Sequence, residues 1–313
     1  MPTHAYRFAH FTDIHLPIRE KPATNTLLNK RALGYLSWRR KRAERHQQWA
    51  SEALVNDAKS QSCNLALITG DIVNIALPAE FQDARNWLDA QFGDMHVVYT
   101  PGNHDTYTHA KWDNTLGMLA PYMQGTRTDG EPSRAPTDFS DFPFCVQPEN
   151  APNFTVIAAN SSPTTAPGLA TGALGADQRA KLKTMINAQC RENSLNILML
   201  HHPITPGVVS KRKELTDRTH LCADLADSHI DLVLHGHAHI QHFDSIKTAR
   251  EKTTVIGGAS ASHPFGHGKY RPARYNLFDV EPNKGGGWSI KMTIRELDPH
   301  TKDIFSVETH KLV

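Results

Sequence analysis

The chain has 313 residues, 39% hydrophobic and 21% charged, a composition typical of a soluble globular protein. Its 34 basic and 32 acidic residues give a net charge of +2, which argues against general nucleic-acid binding. The sequence contains no run of about 18 apolar residues, so it predicts no transmembrane helix. Residues 1–16 show no signal-peptide pattern and the four cysteines form no CxxC pair, so we expect free thiols and a cytoplasmic location.

Short apolar runs predict strands, and stretches of helical periodicity lie between them. The predicted strands are Tyr6–Phe11, Leu65–Thr69, Met95–Thr100, Phe154–Ala159, Asn196–Leu200 and Asp231–Leu234. The predicted helices are His46–Lys59, Pro78–Gln91, Ala176–Asn193 and Thr216–Ser228. Strands that alternate with helices favour an α/β fold with a largely parallel sheet.

The C-terminal part of the chain has strand-like runs with no helix between them. These runs are Thr253–Gly257, Tyr275–Val280 and Trp288–Leu297. We therefore predict that residues 253–313 form antiparallel strands that complete a second sheet, within one domain spanning residues 1–313. Residues 125–152, rich in Pro, Asp and Ser, are expected to form a surface excursion.

Five short polar motifs stand directly after predicted strands. They are Asp13-Ile14-His15, Gly70-Asp71-Ile72-Val73-Asn74, Gly102-Asn103-His104-Asp105, His201-His202-Pro203 and His235-Gly236-His237-Ala238-His239. Ligands bind beyond the carboxyl ends of strands in α/β sheets, so the motifs can converge on one site. Carboxylates and imidazoles without a thiolate suit Zn, Mn or Fe. Their number exceeds the ligands of one ion, which favours two ions about 3.5–4 Å apart.

In this order, the motifs DxH, GDxxN, GNHD, HHP and GHxH resemble those of the calcineurin-like metallophosphoesterase superfamily. The resemblance extends from Asp13 to His239, about three quarters of the chain. It implies two packed mixed β-sheets flanked by helices, in a four-layer sandwich. It also implies a phosphoric ester hydrolase with two metal ions, Mn, Fe or Zn, which activate a bridging water or hydroxide for in-line attack on phosphorus.

The resemblance also assigns roles to single residues. One ion is held by Asp13, His15 and His239. The other is held by Asn103, His201 and His237, and Asp71 bridges the two. His104 is expected to face the substrate and to donate a proton or a hydrogen bond to the leaving oxygen. Residues expected to support these groups from behind are Asn74, Asp105 and His202. His235 is expected to pack at its strand end. His263 and His267 are expected in a solvated loop and the remaining histidines at the surface.

The chain departs from the phosphoprotein phosphatase pattern of GDxxDRG and RGNHE. Asn74 stands where an Asp would orient the catalytic histidine, and Pro101 stands where an arginine would precede GNH. An amide cannot stabilise an imidazolium as a carboxylate can, so His104 is expected to be less basic. The missing arginines favour a singly charged phosphodiester, as in the cyclic-nucleotide and glycerophosphodiester branches of the superfamily.

A basic segment, residues 30–45, lies inside a predicted cap insertion at residues 17–50. It combines seven Lys and Arg residues with two aromatic residues. One interpretation is a solvated basic helix face. The other is a lip over the site that recruits an anionic substrate or contacts a membrane surface. The candidate contact residues are Trp38, Arg39, Arg40 and Arg42.

The leading interpretation is a phosphodiesterase acting on a small phosphodiester. The alternative enzyme is a pyrophosphatase acting on a nucleotide-linked lipid precursor, which the basic aromatic segment could serve. A third alternative, from a different class, is a non-catalytic scaffold of the same fold. Such a scaffold predicts missing motif residues, and all five motifs are complete.

Overall fold

The computed structural model describes residues 6–127, 134–149, 151, 153–283 and 287–312. The strands in these residues are β1 (Tyr6–Phe11), β2 (Leu65–Ile68), β3 (His96–Tyr99), β4 (Phe144–Val146), β5 (Phe154–Ala158), β6 (Leu195–Met199), β7 (Leu232–His235), β8 (His242–Ile246), β9 (Thr253–Gly257), β10 (Arg274–Pro282), β11 (Trp288–Leu297) and β12 (Ile304–Lys311). Strands β2, β5 and β6 are buried along their whole length, because both faces of each are covered.

The helices in the described residues are α1 (Lys30–Ser37), α2 (Ala43–Arg45), α3 (Gln48–Ser60), α4 (Pro78–Phe92), α5 (Ala176–Gln189) and α6 (Arg218–Asp224), and a π-helical turn at Trp38–Arg42 joins α1 to α2. Helices α3 to α6 flank the two sheets. Helix α3 buries Ala50, Leu54 and Ala58, which recur every four residues on one face. No helix in the described ranges has the length and apolar content needed to cross a membrane.

The strands form two six-stranded mixed sheets. The first has the order β12-β11-β10-β1-β2-β3 and the second the order β4-β5-β6-β7-β9-β8. Strands β1, β2 and β3 are parallel in the first sheet, and β5, β6, β7 and β9 are parallel in the second. The predicted fold class, two mixed sheets flanked by helices, is confirmed.

The main apolar core lies between the two sheets. Phe8 of β1 stacks on Phe278 of β10 with ring centroids 4.5 Å apart, and it meets Phe154 of β5 at 5.5 Å. All three side chains are fully buried. A second cluster fills the space between the other face of the second sheet and helices α5 and α6. The rigid packing on both sides fixes the strand ends from which the polar motifs project.

The prediction that residues 253–313 form antiparallel strands of the second sheet is wrong in the sheet to which it assigns most of these strands. Strand β9 is parallel to β7, with Val255 beside Val233, so it is not antiparallel to its central neighbour. Strand β10 pairs with β1, and β11 and β12 extend that first sheet, not the second. Apolar alternation shows that a strand has a buried face but does not specify the sheet edge that it joins. Residues 284–286 and 313 of this range lie outside the described part.

The surface excursion expected at residues 125–152 is wrong for part of that segment. Phe142 and Phe144 are fully buried, and Phe144 opens β4, which pairs with β5. The three apolar residues of β4, Phe144–Val146, bury enough surface to form a short edge strand, although the residues around them are mostly polar. Residues 128–133, 150 and 152 lie outside the described ranges.

Candidate metal centre

The loops that follow β1, β2, β3, β6 and β7 meet at the carboxyl ends of the parallel strands. Five of the predicted ligands adopt left-handed backbone conformations with φ between 46° and 68°: Asp13, His15, Asp71, His237 and His239. A non-glycine residue in this region is strained, by about 1 kcal/mol or more, and such strain clusters at functional sites. The folded scaffold therefore holds these side chains in place at a cost in stability.

The first group of ligand atoms comes from Asp13, His15, Asp71 and His239, and all of them lie within 4.8 Å of one another. His239 Nε2 is 3.1 Å from Asp13 Oδ1, and His15 Nε2 is 3.8 Å from Asp71 Oδ2. Asp13, His15 and Asp71 are almost completely buried. Two carboxylates and two imidazoles in this arrangement can hold one divalent ion.

The second group shares Asp71 with the first. Asp71, His201 and His237 again offer ligand atoms within 4.8 Å of one another. His201 Nε2 is 3.3 Å from Asp71 Oδ2 and 3.2 Å from the side-chain oxygen of Asn103. The structure thus brings all seven predicted ligands together, with Asp71 between the two groups.

Backbone carbonyls orient the imidazoles of the site. His201 Nδ1 donates to the carbonyl of Thr69 at 2.7 Å, which leaves Nε2 facing the carboxylates. The ring of His237 has the opposite orientation. Its Nε2 lies 3.1 Å from the carbonyl of Lys213, and its Nδ1 faces His201. Such contacts fix the tautomer that a metal ion requires.

Two buried ligand atoms, Asp13 Oδ1 and His15 Nε2, make no hydrogen bond of good geometry within the described chain, and they lie beside the other ligands His239 and Asp71. A buried acceptor without a donor is costly unless a cation satisfies it. Burial, with further contributions from neighbouring histidines, holds the pKa of His15 and of His237 well below the ordinary value. The neutral imidazole is the form that binds metal, so the donor set fits two metal ions.

The charge of Asp71 dominates the electrostatics of the centre. Burial alone would raise its pKa, but His201, His104 and His15 hold it well below the ordinary range. Burial would lower the pKa of His201, but Asp71, together with Asp13 and the Thr69 carbonyl, raises it to about 9. A carboxylate that stays ionised and touches both groups is the chemistry that a bridging ligand requires.

Asp105 ties two of the motif loops together. Its carboxylate accepts hydrogen bonds from the backbone N–H groups of Gly102, Asp71, Ile72 and Val73, at 2.6 to 3.1 Å. The loops approach so closely that a Cβ at Gly102 would overlap the Asp71 carboxylate, which explains the glycine there. Asp105 therefore connects the loop after β2 to the loop after β3, behind the ligand atoms.

The contact between His104 and Asn74 differs from the expected one. His104 Nδ1 donates to the backbone carbonyl of Asn74 at 2.6 Å, while the Asn74 side chain donates to the carbonyl of Leu16. Burial first, and then the charge of Arg42, lower the pKa of His104 to about 3. His104 is less basic, as predicted, but the physical cause is burial and Arg42, not the amide of Asn74. A neutral His104 with its proton on Nδ1 has only an acceptor, Nε2, facing the cavity, so in this state it does not donate to the leaving oxygen.

His202 lies beside the centre but turns away from it. Its Nδ1 is 2.9 Å from the Ser161 hydroxyl and its Nε2 is 3.3 Å from the carbonyl of Ala170. Both ring nitrogens are thus used, which agrees with a supporting position for His202.

His46 is a site residue that the motifs did not predict. It is buried, contrary to the expected surface position, and offers a ligand atom within 4.8 Å of those of His15 and His239. Its Nδ1 lies 2.8 Å from the Ser262 hydroxyl. His263 is also buried and lines the same cavity, not a solvated loop. The excess of histidine, 19 residues, was the available signal, but neither residue belongs to a strand-end motif.

The four candidate contact residues of the basic segment take different positions. Arg42 reaches the site, with Nη1 3.0 Å from His104 Nε2, and so supplies a guanidinium that Pro101 cannot. Trp38 stacks on Tyr35 and packs against a small cluster around Ile75. Arg39 and Arg40 are exposed. Only one of the four, Arg42, contacts the predicted centre in the part of the chain that the structure describes.

A cavity of about 330 Å³ opens onto both ligand groups. Its walls come from residues 37–46, from the loops after β3 and β6 and from the loop after β9, and they include Arg42, His46, His104, Lys213, His263 and Arg271. Its volume falls within the range of small-molecule sites.

Known proteins are similar to this chain in sequence or in fold. A cyanobacterial protein of Synechococcus, named a probable cyclic nucleotide phosphodiesterase, is 25% identical over 240 residues, covering 75% of this chain and 78% of the relative. A dimetal phosphatase from Danio rerio matches 98% of both chains with a TM-score of 0.58 and 14% identity. A purple acid phosphatase of yellow lupin (Lupinus luteus) has the same TM-score at 10% identity, over 98% of this chain and 54% of its own.

The profile of the calcineurin-like phosphoesterases matches residues 6–241, which contain all five polar motifs and both ligand groups. The chain belongs to the calcineurin-like phosphoesterase family.

Proposed function

We propose that this chain is a phosphodiesterase that uses two divalent metal ions to hydrolyse a small phosphodiester. The observation that carries the proposal is the position of Asp71, whose carboxylate belongs to both groups of ligand atoms. The name of the Synechococcus relative supports the diester as substrate. We further propose a cytoplasmic location, which the four free cysteines support.

The residues of the chain have distinct tasks in this proposal. Bound at the two groups, the ions would supply a nucleophile from water at neutral pH and stabilise the charge of an in-line displacement. Asp13, His15, Asp71, Asn103, His201, His237 and His239 would hold them. Arg42 lines the cavity beside His104, where its guanidinium can bind a phosphate oxygen. His104, kept neutral with its proton on Nδ1, orients Arg42.

A panel of substrates tests the proposal. Metal-stripped protein is reloaded with Mn, Fe or Zn and assayed with bis(p-nitrophenyl) phosphate, cyclic AMP, glycerophosphodiesters, p-nitrophenyl phosphate and a lipid-linked UDP-sugar. We expect turnover of a diester, and a loss of roughly 100-fold or more in Asp71→Asn. Faster turnover of the monoester would contradict the diester assignment. No turnover with any metal would support the non-catalytic scaffold.

The second candidate is hydrolysis of the pyrophosphate bond in a nucleotide-linked lipid. It is favoured by the basic segment and the residues before it, where three leucines are exposed: Leu28 by 81%, Leu33 by 61% and Leu36 by 44%. Arg39, Arg40 and Lys41 follow directly and are also exposed. Apolar and basic side chains together suit an anionic lipid surface. Preference for the lipid-linked UDP-sugar in the panel would select this candidate.

A further inference from the structure

Four basic side chains line the cavity over the two ligand groups. Arg42 and Arg45 come from the basic segment, Lys213 from the loop after β6, and Arg271 from the loop after β9. Within the described ranges, none of the four lies within 4.0 Å of a carboxylate. Basic and acidic residues are almost equal in number in this chain, so composition alone does not explain this cluster.

The single negative charge of one phosphodiester does not explain why four basic side chains line the cavity. Two divalent ions held by Asp13 and Asp71 would retain two positive charges. A phosphodiester and a deprotonated water supply two negative charges. The scissile group would therefore be neutralised without any basic side chain, and the charges on the cavity wall remain available.

Arg42 and the other three side chains differ in burial. Arg42 is largely buried against His104 and the carbonyl of Gly34, so it belongs to the floor of the cavity. Arg45, Lys213 and Arg271 are exposed at its rim. The backbone carbonyl of Lys213 lies 3.1 Å from His237 Nε2, and Arg45 and Arg271 line the same cavity from two other segments of the chain. The three rim residues therefore surround one opening although they are distant in sequence.

We propose that Arg45, Lys213 and Arg271 bind a second phosphate group on the same substrate. This inference rests on the proposed function and narrows its substrate class. The natural substrate is then a phosphate diester or anhydride that carries a further phosphate group, beyond the one that is cleaved. Arginine binds phosphate with paired charge-assisted hydrogen bonds, and lysine binds it as a point charge.

A pair of matched chromogenic diesters tests the inference. Thymidine 5′-(p-nitrophenyl phosphate) carries one charge, and its 3′-phosphorylated derivative carries the same scissile group with a second phosphate. The Mn-loaded wild-type protein should hydrolyse the phosphorylated compound with a kcat/KM at least about tenfold higher, because one charge-assisted hydrogen bond contributes about that factor. Equal kcat/KM values would overturn the proposal.

Variants locate the effect at the rim. Arg45→Gln and Arg271→Gln should each lower kcat/KM for the phosphorylated diester by about tenfold, through KM, and leave the singly charged diester unchanged. Arg212→Gln is the matched control, since Arg212 is an exposed arginine beside Lys213 that does not line the cavity. Equal losses on both diesters, or an equal loss in the control, would contradict a second phosphate site.

A binding measurement separates this inference from the proposed function. If neither diester is hydrolysed, the proposed function fails, and calorimetry on the Mn-loaded protein compares thymidine 3′,5′-bisphosphate with thymidine 5′-phosphate. Binding of the bisphosphate that is at least about tenfold tighter, and lost in Arg45→Gln, supports the second phosphate site. Equal affinity for the two nucleotides overturns it.

Discussion

Nη1 of Arg42 lies 3.0 Å from Nε2 of His104, and it connects the basic segment to the motif that follows β3. Nη1 is equally close to Nδ1 of the same imidazole, at 2.9 Å, and Nδ1 also donates to the carbonyl of Asn74 at 2.6 Å. Burial and the guanidinium together keep His104 neutral. The segment between the first two motifs is therefore part of the site's floor and not only a cover over it.

Replacing Arg42 tests this role. Arg42→Gln should lower kcat/KM for bis(p-nitrophenyl) phosphate by about tenfold, because one charge-assisted hydrogen bond to the phosphate is lost. Arg39→Gln and Arg40→Gln are matched controls, since both arginines are exposed on the same segment. Steady-state kinetics with this soluble diester measures the effect. Equal losses in the three variants would show a general charge effect instead.

Asp105 is expected to hold the motif loops in place. Asp105→Asn replaces one acceptor oxygen by an NH₂ group that faces backbone N–H donors, so it should lower the free energy of unfolding by about 3 kcal/mol. Urea unfolding of the metal-free protein measures the loss. Asp113→Asn, at an exposed position, should change it by less than about 0.5 kcal/mol. A stable Asp105→Asn protein would contradict the proposed support.

Buried neutral histidines make the metal-free protein sensitive to acid. Burial lowers the pKa of His10 to about 3, and its Nε2 lies 2.9 Å from the Thr69 hydroxyl. The unfolded chain takes up this proton near pH 6.5 and the folded chain does not. Its contribution to stability is therefore present above pH 6.5 and is lost progressively as the pH falls towards 3.

His10→Gln removes this titration while it keeps a polar side chain next to Thr69. Between pH 7.5 and pH 5.5, the variant should lose about 1 kcal/mol less of its free energy of unfolding than the wild type. Urea titrations of both metal-free proteins at the two pH values give the comparison. Parallel losses would mean that His10 is protonated in the folded state.

The exposed leucines near the basic segment predict binding to lipid. Wild-type protein should sediment with vesicles that contain about 30% anionic lipid, and less so at high salt. The double variant Leu33→Gln/Leu36→Gln should bind at least about tenfold more weakly, because two exposed apolar side chains are lost. Val307→Thr, an exposed apolar position on β12, is the control. If wild type stays in the supernatant, the lipid contact and the lipid-linked substrate lose their support.

The sequence predicted the parts of the fold that depend on local pattern. The bounds of β1 and β11 agree with the expected Tyr6–Phe11 and Trp288–Leu297, because apolar residues there alternate or cluster clearly. Strand β8 is half exposed and β12 mostly exposed, so neither carried a strong apolar signal. The pairing of β10 with β1 joins residues about 270 positions apart, and no local pattern encodes that partner.

The candidate site could also be predicted only where a local sequence pattern marks its residues. Residues at strand ends, such as Asp71 and His201, were predicted because their neighbours in sequence mark the strand and the motif. His46 was not, because its place beside His15 depends on how the basic segment folds back over the site. The interaction of His104 with Asn74 uses a backbone carbonyl, which the identity of a side chain cannot reveal.

The central claim is that Asp71 lies between two metal ions, and anomalous diffraction from a crystal soaked in manganese tests it most directly. The account predicts two anomalous peaks about 3.5–4 Å apart. One should be bound by Asp13, His15 and His239, the other by Asn103, His201 and His237, and both by the Asp71 carboxylate. A single peak, or two peaks of which only one contacts Asp71, would contradict it.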